Sequence, residues 1–341
     1  MPTDNIKNEK ITSLNIKAKI PIFQLLPFEV DLFEYVDNGI REILSLSNTL
    51  TFEISVLGEF QIEIYLENII PQKNEFHNQL LVFQVIIPND YKKVPIQRNN
   101  SNFEITEDEH RLMFESLMIH DFRAKLHNFL LITNIAKPGV IKAKRGEIFM
   151  NEKLIDFSYP ITSIHRESLS DIKKIKWPTY LNLKYIDAWN WFKENKFSFE
   201  RFSRNGSERA MNAFTNLFQE DSNYLAFDLF WSLIGIEAIY CKGKENLSEQ
   251  IFTKTQVLLG EMSDYKKRLK RMYEFRSRLI HGDLDIPPNN YDYDDENDIN
   301  FNEELYEATS LAVAILTVTF QRMIEMKKNT IEFTTTTSLI L

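Results

Sequence analysis

A single cysteine, Cys241, stands in a chain of 341 residues. One thiol makes neither an intrachain disulfide nor a cysteine-based zinc site, and a reducing, cytoplasmic setting is expected. Glycine is scarce, at nine residues, which speaks against glycine-rich phosphate loops. Long apolar runs are also missing. The longest, residues 311–320, is about half the roughly 20 residues that a membrane-spanning helix needs. The first ten residues hold no apolar stretch resembling a signal peptide. Basic side chains are outnumbered, 40 against 49, and the net charge of −9 argues against a general nucleic-acid coat. It leaves room for a local basic site.

What is present is ordinary globular material. Hydrophobic residues make up 43% and charged residues 26%, so wholesale disorder is not expected, and the length fits two domains. Phenylalanine is plentiful, at 26, which favours aromatic-rich cores. In the first half, Phe52, Ile54 and Val56 alternate with polar residues, and Phe60, Ile62, Ile64 and Leu66 do the same beyond Gly58-Glu59. That is a β-hairpin pattern. Residues 80–87, closed by Pro88, read as a more buried strand, and residues 107–135 as a long helix stopped by Pro138-Gly139. Residues 140–159 look like another strand pair. From about residue 180 the pattern becomes helix after helix: 180–196, 207–219, 223–240, 248–260, 264–280 and 303–327. The helix at 223–240 is apolar nearly all round, which places it in the middle of a bundle and requires partners for Asp228 and Glu237. The expected fold class is α+β, with an N-terminal mixed α/β domain over 1–196, an all-α bundle over 199–333 and a tail at 334–341.

The segment 264–281 carries the chemistry. At about 100° per residue, Tyr265, Leu269, Met272, Tyr273, Leu279 and Ile280 gather into an apolar stripe with Arg276 at its centre. A guanidinium there is costly unless it meets a carboxylate, a phosphate or a partner chain. Glu237 is one such carboxylate, serving either to orient Arg276 or as a structural pair. The other face carries Lys266, Lys267, Lys270, Arg271 and Arg278. From residue 265 to 278 there are seven basic residues and one acidic one, a local charge of +6 that suits RNA phosphates as well as plain solvation. His281 follows Arg276 by five residues and precedes Gly282, a natural helix terminator. Freed at the helix end, its ring is expected to swing toward Arg276. An imidazole that moves protons beside an arginine that steadies phosphorane charge suits phosphodiester cleavage without a metal or cofactor.

The run Met272-Tyr-Glu-Phe-Arg-Ser-Arg-Leu-Ile-His-Gly282, with Leu233-Ile-Gly-Ile-Glu-Ala-Ile239 and residues 248–260 before it, resembles the HEPN superfamily, and within it the Apea-like branch. Tyr273, Arg276, Ser277, His281 and Gly282 carry the signature, and the resemblance covers residues 199–333. It implies an all-α bundle that dimerises through the motif helix into a composite cleft. It further implies a metal-independent endoribonuclease that uses the 2′-hydroxyl as nucleophile and acts as a toxin or in anti-phage defence. Arg276 and His281 would be catalytic, with Ser277, Tyr273 and Glu237 in support. The family also contains non-catalytic modules that dimerise and bind nucleotides or partners, which is the alternative. A weaker third reading is a small-molecule sensor. The N-terminal half is assigned a sensing or targeting role, its ligand open.

His110, His120 and His127 fall on one predicted helix, but their spacing does not make the i, i+4 neighbours of a helix-borne metal site. Residues 283–307 hold ten acidic side chains and no basic one, and read as a solvated loop. A sharper reading lets that loop imitate RNA phosphates and restrain the basic helix.

Overall fold

The computed structural model describes residues 13–23, 32–54, 57–69, 77–94, 106–141, 145–160, 176–195, 197, 202–217, 225–243, 245–262, 265–283 and 296–334. In chain order these form β1 (Ser13–Phe23), α1 (Phe33–Ser45), β2 (Thr51–Ile54), β3 (Gly58–Gln61), β4 (Glu63–Asn68), β5 (His77–Pro88), α2 (Glu107–Ala136), β6 (Arg145–Met150) and β7 (Lys153–Pro160). Helices α3 (Tyr185–Glu194), α4 (Gly206–Phe214), α5 (Leu225–Tyr240), α6 (Leu247–Leu259), α7 (Tyr265–His281) and α8 (Glu296–Glu325) follow. The fold is mixed α+β, with the strands in the N-terminal part and the helices mainly in the C-terminal part. Two compact units result: residues 1–24, 41–128 and 145–160 make the first, and residues 25–40, 129–144 and 161–341 the second. Both units are discontinuous in sequence, whereas the sequence pattern divides the chain once, between residues 196 and 199.

The first unit is built on an antiparallel five-stranded sheet of order β4-β5-β1-β6-β7. Strand β1 lies at its centre, pairing along its whole length with β5, from Ser13 opposite Pro88 to Phe23 opposite His77. Leu14, Ile16, Ala18 and Ile20 of β1 are buried on one face. On the other face the Lys17 ammonium meets Glu152, a hydrogen bond that holds its pKa above the usual lysine value, and Lys19 lies 2.9 Å from Glu67. The expected hairpin forms as β2 and β3, with Phe52 opposite Phe60. Its second run does not continue as one strand, however. The ladder with β2 ends at Gln61, and β4 joins the larger sheet against β5. Helix α2 starts with a capping box, in which Glu109 N–H donates to the Thr106 hydroxyl and the Glu109 carboxylate accepts from Thr106 N–H. It stops at Ala136, just ahead of Pro138-Gly139.

The second unit is helical. Helix α5 packs against α4, α6 and α8, and α7 packs against α6 and α8. Leu229, Leu233, Ile236 and Tyr240 of α5 are buried, but Phe227 and Phe230 are 57% and 38% exposed, so this apolar helix is not enclosed on all sides. Two glycines permit close approach. A Cβ at Gly206 would sit 2.3 Å from the Ala238 carbonyl oxygen, and one at Gly235 would sit 2.8 Å from Leu316. Gln321, fully buried on α8, accepts from Leu181 N–H at 2.7 Å and donates to the Ile135 carbonyl at 2.8 Å.

The segment 283–307 is not wholly a loop. Its residues 284–295 lie outside the described residues, but from Glu296 onward it is helix α8. The reason is apolar spacing: Leu305 and Ala308 are buried, and the Phe301 ring lies 5.7 Å from Phe275 of α7.

Candidate functional site

Helix α7 is held in the unit by Leu269, Met272 and Phe275, three residues apart and each at most 3% exposed. Phe275 was not part of the stripe read from sequence, while Ile280, which was, is 47% exposed. The buried line therefore runs closer to Phe275, and Arg276 lies at its margin, half-buried. Among the described residues, the Nε of Arg276 is buried without a hydrogen-bond partner. Such an atom normally finds a partner, because leaving it bare costs roughly 1–3 kcal/mol. Glu237 does not supply one: it accepts instead from the Tyr273 hydroxyl at 3.4 Å. Burial, reinforced by the Glu237 charge, holds the Tyr273 phenol well above its ordinary pKa, so this tyrosine stays protonated.

The helix end is well defined. Gly282 adopts φ +76°, and Asp283 N–H donates to the Arg278 carbonyl at 2.9 Å, the outer bond of a Schellman cap. His281 is the last helical residue and is exposed. Because the helix runs through His281, the five-residue offset keeps it about 140° around the axis from Arg276. The expected swing is not observed: among the described residues, no hydrogen bond or ion pair links the two. Ser277 is exposed as well.

The basic side chains divide between two sides. Lys266, Lys267, Lys270, Arg271 and Arg278 are all exposed. The Lys266 ammonium lies over the Phe252 ring, 5.3 Å from its centre, and Lys270 is 3.4 Å from Glu274. Arg271 and Arg278 belong instead to a groove of about 300 Å³ between α7 and α8, where Arg268 joins them. Glu304 and Glu307 of α8 line the same groove, with Glu274. The nearest approach of Arg278 to Glu304 is 3.8 Å. Arg268 was missing from the basic face drawn from sequence; its spacing to 271, 275 and 278, along one side of the helix, was the available signal.

Elsewhere, His110 Nε2 contacts the Val94 carbonyl at 3.0 Å, and burial lowers the pKa of His127. Among the described residues, no group of three or more His, Cys, Asp or Glu side chains is placed to hold a metal ion. Cys241 is half-buried, and desolvation, aided by Glu237, pushes its thiol up to about 11, which makes it a poor nucleophile. No helix among the described residues is long and apolar enough to cross a membrane. Comparison of the chain with protein-family models, with curated proteins and with solved structures returned no match.

Proposed function

We propose that the chain is a metal-independent endoribonuclease of the HEPN type, acting in the cytoplasm as a toxin or anti-phage effector, with its N-terminal part sensing or targeting. The observation that carries this reading is the bare Nε of Arg276, set five residues before an exposed histidine at a capped helix end. A phosphate oxygen is the partner that best satisfies a half-buried guanidinium lacking a carboxylate. In the proposed reaction His281 accepts the proton of the 2′-hydroxyl, and the 2′-oxygen attacks phosphorus. The 5′-oxygen leaves with a proton from an imidazolium, giving a 2′,3′-cyclic phosphate and a 5′-hydroxyl. Arg276 holds the charge that builds on the phosphoryl oxygens.

The 140° divergence within one chain favours a cleft completed by a second copy, with the arginine of one motif helix facing the histidine of its partner. Ile280, 47% exposed on α7, is one apolar side chain that such a contact would cover. The same divergence also favours the second reading, a non-catalytic module that dimerises and binds nucleotides or partners.

The test is incubation of the purified protein with single-stranded RNA in EDTA, beside Arg276→Ala and His281→Ala. Cleavage that survives chelation and vanishes in both variants supports the nuclease. Identical behaviour of wild type and variants removes it.

A further inference from the structure

The groove between α7 and α8 has the wrong charge for an RNA backbone. Three arginines and three glutamates line it, so attraction for a phosphate at one wall is met by repulsion from the other. Its floor is apolar: Met272, Phe275, Ala308 and Leu311 lie beneath the charged rim and are buried. The rim is not locked shut by its own ion pairs. Arg278 and Glu304 approach only to 3.8 Å, beyond hydrogen-bond length, and their side chains are 48% and 64% exposed. Donors and acceptors thus stand side by side over an apolar floor, each with bonding capacity to spare.

We propose that this groove is a guanine-binding subsite, seating one base of a single-stranded RNA next to the phosphate held at the end of α7. The substrate class rests on the nuclease reading above; the base preference rests on the groove alone. Guanine is the nucleobase that presents two adjacent donors, N1–H and the N2 amine, and two adjacent acceptors, O6 and N7. A glutamate carboxylate accepts both donors as a fork, and a guanidinium donates to both acceptors as a second fork. Adenine and uracil present neither paired edge, and cytosine lacks the paired donors. A splayed base read on its edges over an apolar surface is the usual form of sequence recognition in single-stranded RNA. The position also fits the chemistry. Arg278 and His281 stand three residues apart on α7, hence as neighbours on the helix surface.

The test measures binding of the full-length protein to fluorescein-labelled 2′-fluoro RNA heptamers, which lack the attacking hydroxyl and cannot be cut by this route. The set is oligouridine alone and oligouridine with one central guanine, adenine or cytosine. The guanine heptamer is expected to bind about tenfold or more tightly than the other three, within the range of one good bidentate contact. The preference is expected to fall to within about twofold in Glu304→Gln or Glu307→Gln, with the circular dichroism spectrum unchanged. Equal affinity for all four heptamers, a preference undiminished in both glutamine variants, or no binding at all overturns the proposal. Cleavage in EDTA without a guanine preference removes the subsite and leaves the nuclease. A guanine preference without cleavage does the reverse.

Discussion

Tyr273 gives its hydroxyl hydrogen bond to Glu237 across 3.4 Å, from α7 to α5, while the Nε of Arg276, one turn further along α7, is buried without a partner. The carboxylate that sequence would assign to the arginine is thus engaged by the tyrosine. On the nuclease reading proposed above, Tyr273 would act as a positioning residue that draws Glu237 toward itself.

Removing that hydroxyl tests the division of roles. Tyr273→Phe keeps the ring and deletes one long hydrogen bond, so it should cost about 1 kcal/mol or less in urea unfolding. The released Glu237 should then compete for Arg276. RNA cleavage should fall more than stability does, and Glu237→Gln in the same background should restore part of it. Unchanged cleavage in Tyr273→Phe would assign the pair a purely structural role.

Gly282 controls where α7 ends. Among the described residues no neighbour would contact a Cβ there, so the penalty of Gly282→Ala is that of the backbone conformation at φ +76°, about 1 kcal/mol. The variant should fray the last turn, detectable as faster amide exchange at Asp283. Gly282→Asn should be milder, because asparagine tolerates the left-handed region. Cleavage should follow the same order: wild type, then asparagine, then alanine.

Ile280 is 47% exposed on the helix that carries the proposed site. Ile280→Glu should leave the melting temperature of the monomeric fold nearly unchanged and shift the protein to monomer in light scattering. Cleavage should be lost together with the dimer. A wild-type chain that is already monomeric at micromolar concentration removes the two-copy cleft.

Burial lowers the pKa of His127 in the folded chain, so the unfolded chain binds its proton at higher pH than the folded one. The sign follows: this residue's contribution to stability is intact above the unfolded value near 6.5 and declines as pH falls toward the depressed folded value. Unfolding midpoints measured at pH 7.5 and 5.5 should therefore differ less in His127→Gln than in wild type. An equal difference in both proteins would place the acid sensitivity elsewhere.

Local patterns in the sequence located much of this molecule, and the failures have physical causes. Helices α5 to α7 and strand β5 are found within a few residues, because their apolar spacing is regular and glycine or proline bounds them. Strand β1 alternates as plainly, with Leu14, Ile16 and Ala18 against Asn15 and Lys17, yet nothing local reveals that it is the central strand. That depends on pairing with residues some 70 and 130 positions away. The start of α8 was obscured by charge: the density of acidic residues suggested a loop, while Leu305 and Ala308 marked a helix face. In the candidate site, the residue types and the capping glycine were legible. The diversion of Glu237 to Tyr273 was not, and neither was the groove that sets Arg268, Arg271 and Arg278 against the carboxylates of α8. Both arise from packing between helices.

The double hydrogen bond of Gln321 has a consequence for biosynthesis. It closes a ring of contacts among Ile135, Leu181 and α8, and Trp191 adds a bond to the Lys328 carbonyl. During translation, residues 129–144 emerge long before the side chains that satisfy their buried carbonyls. The helical unit therefore stays unfinished until α8 has cleared the ribosome. Its folding waits for α8, whatever order the earlier segments follow.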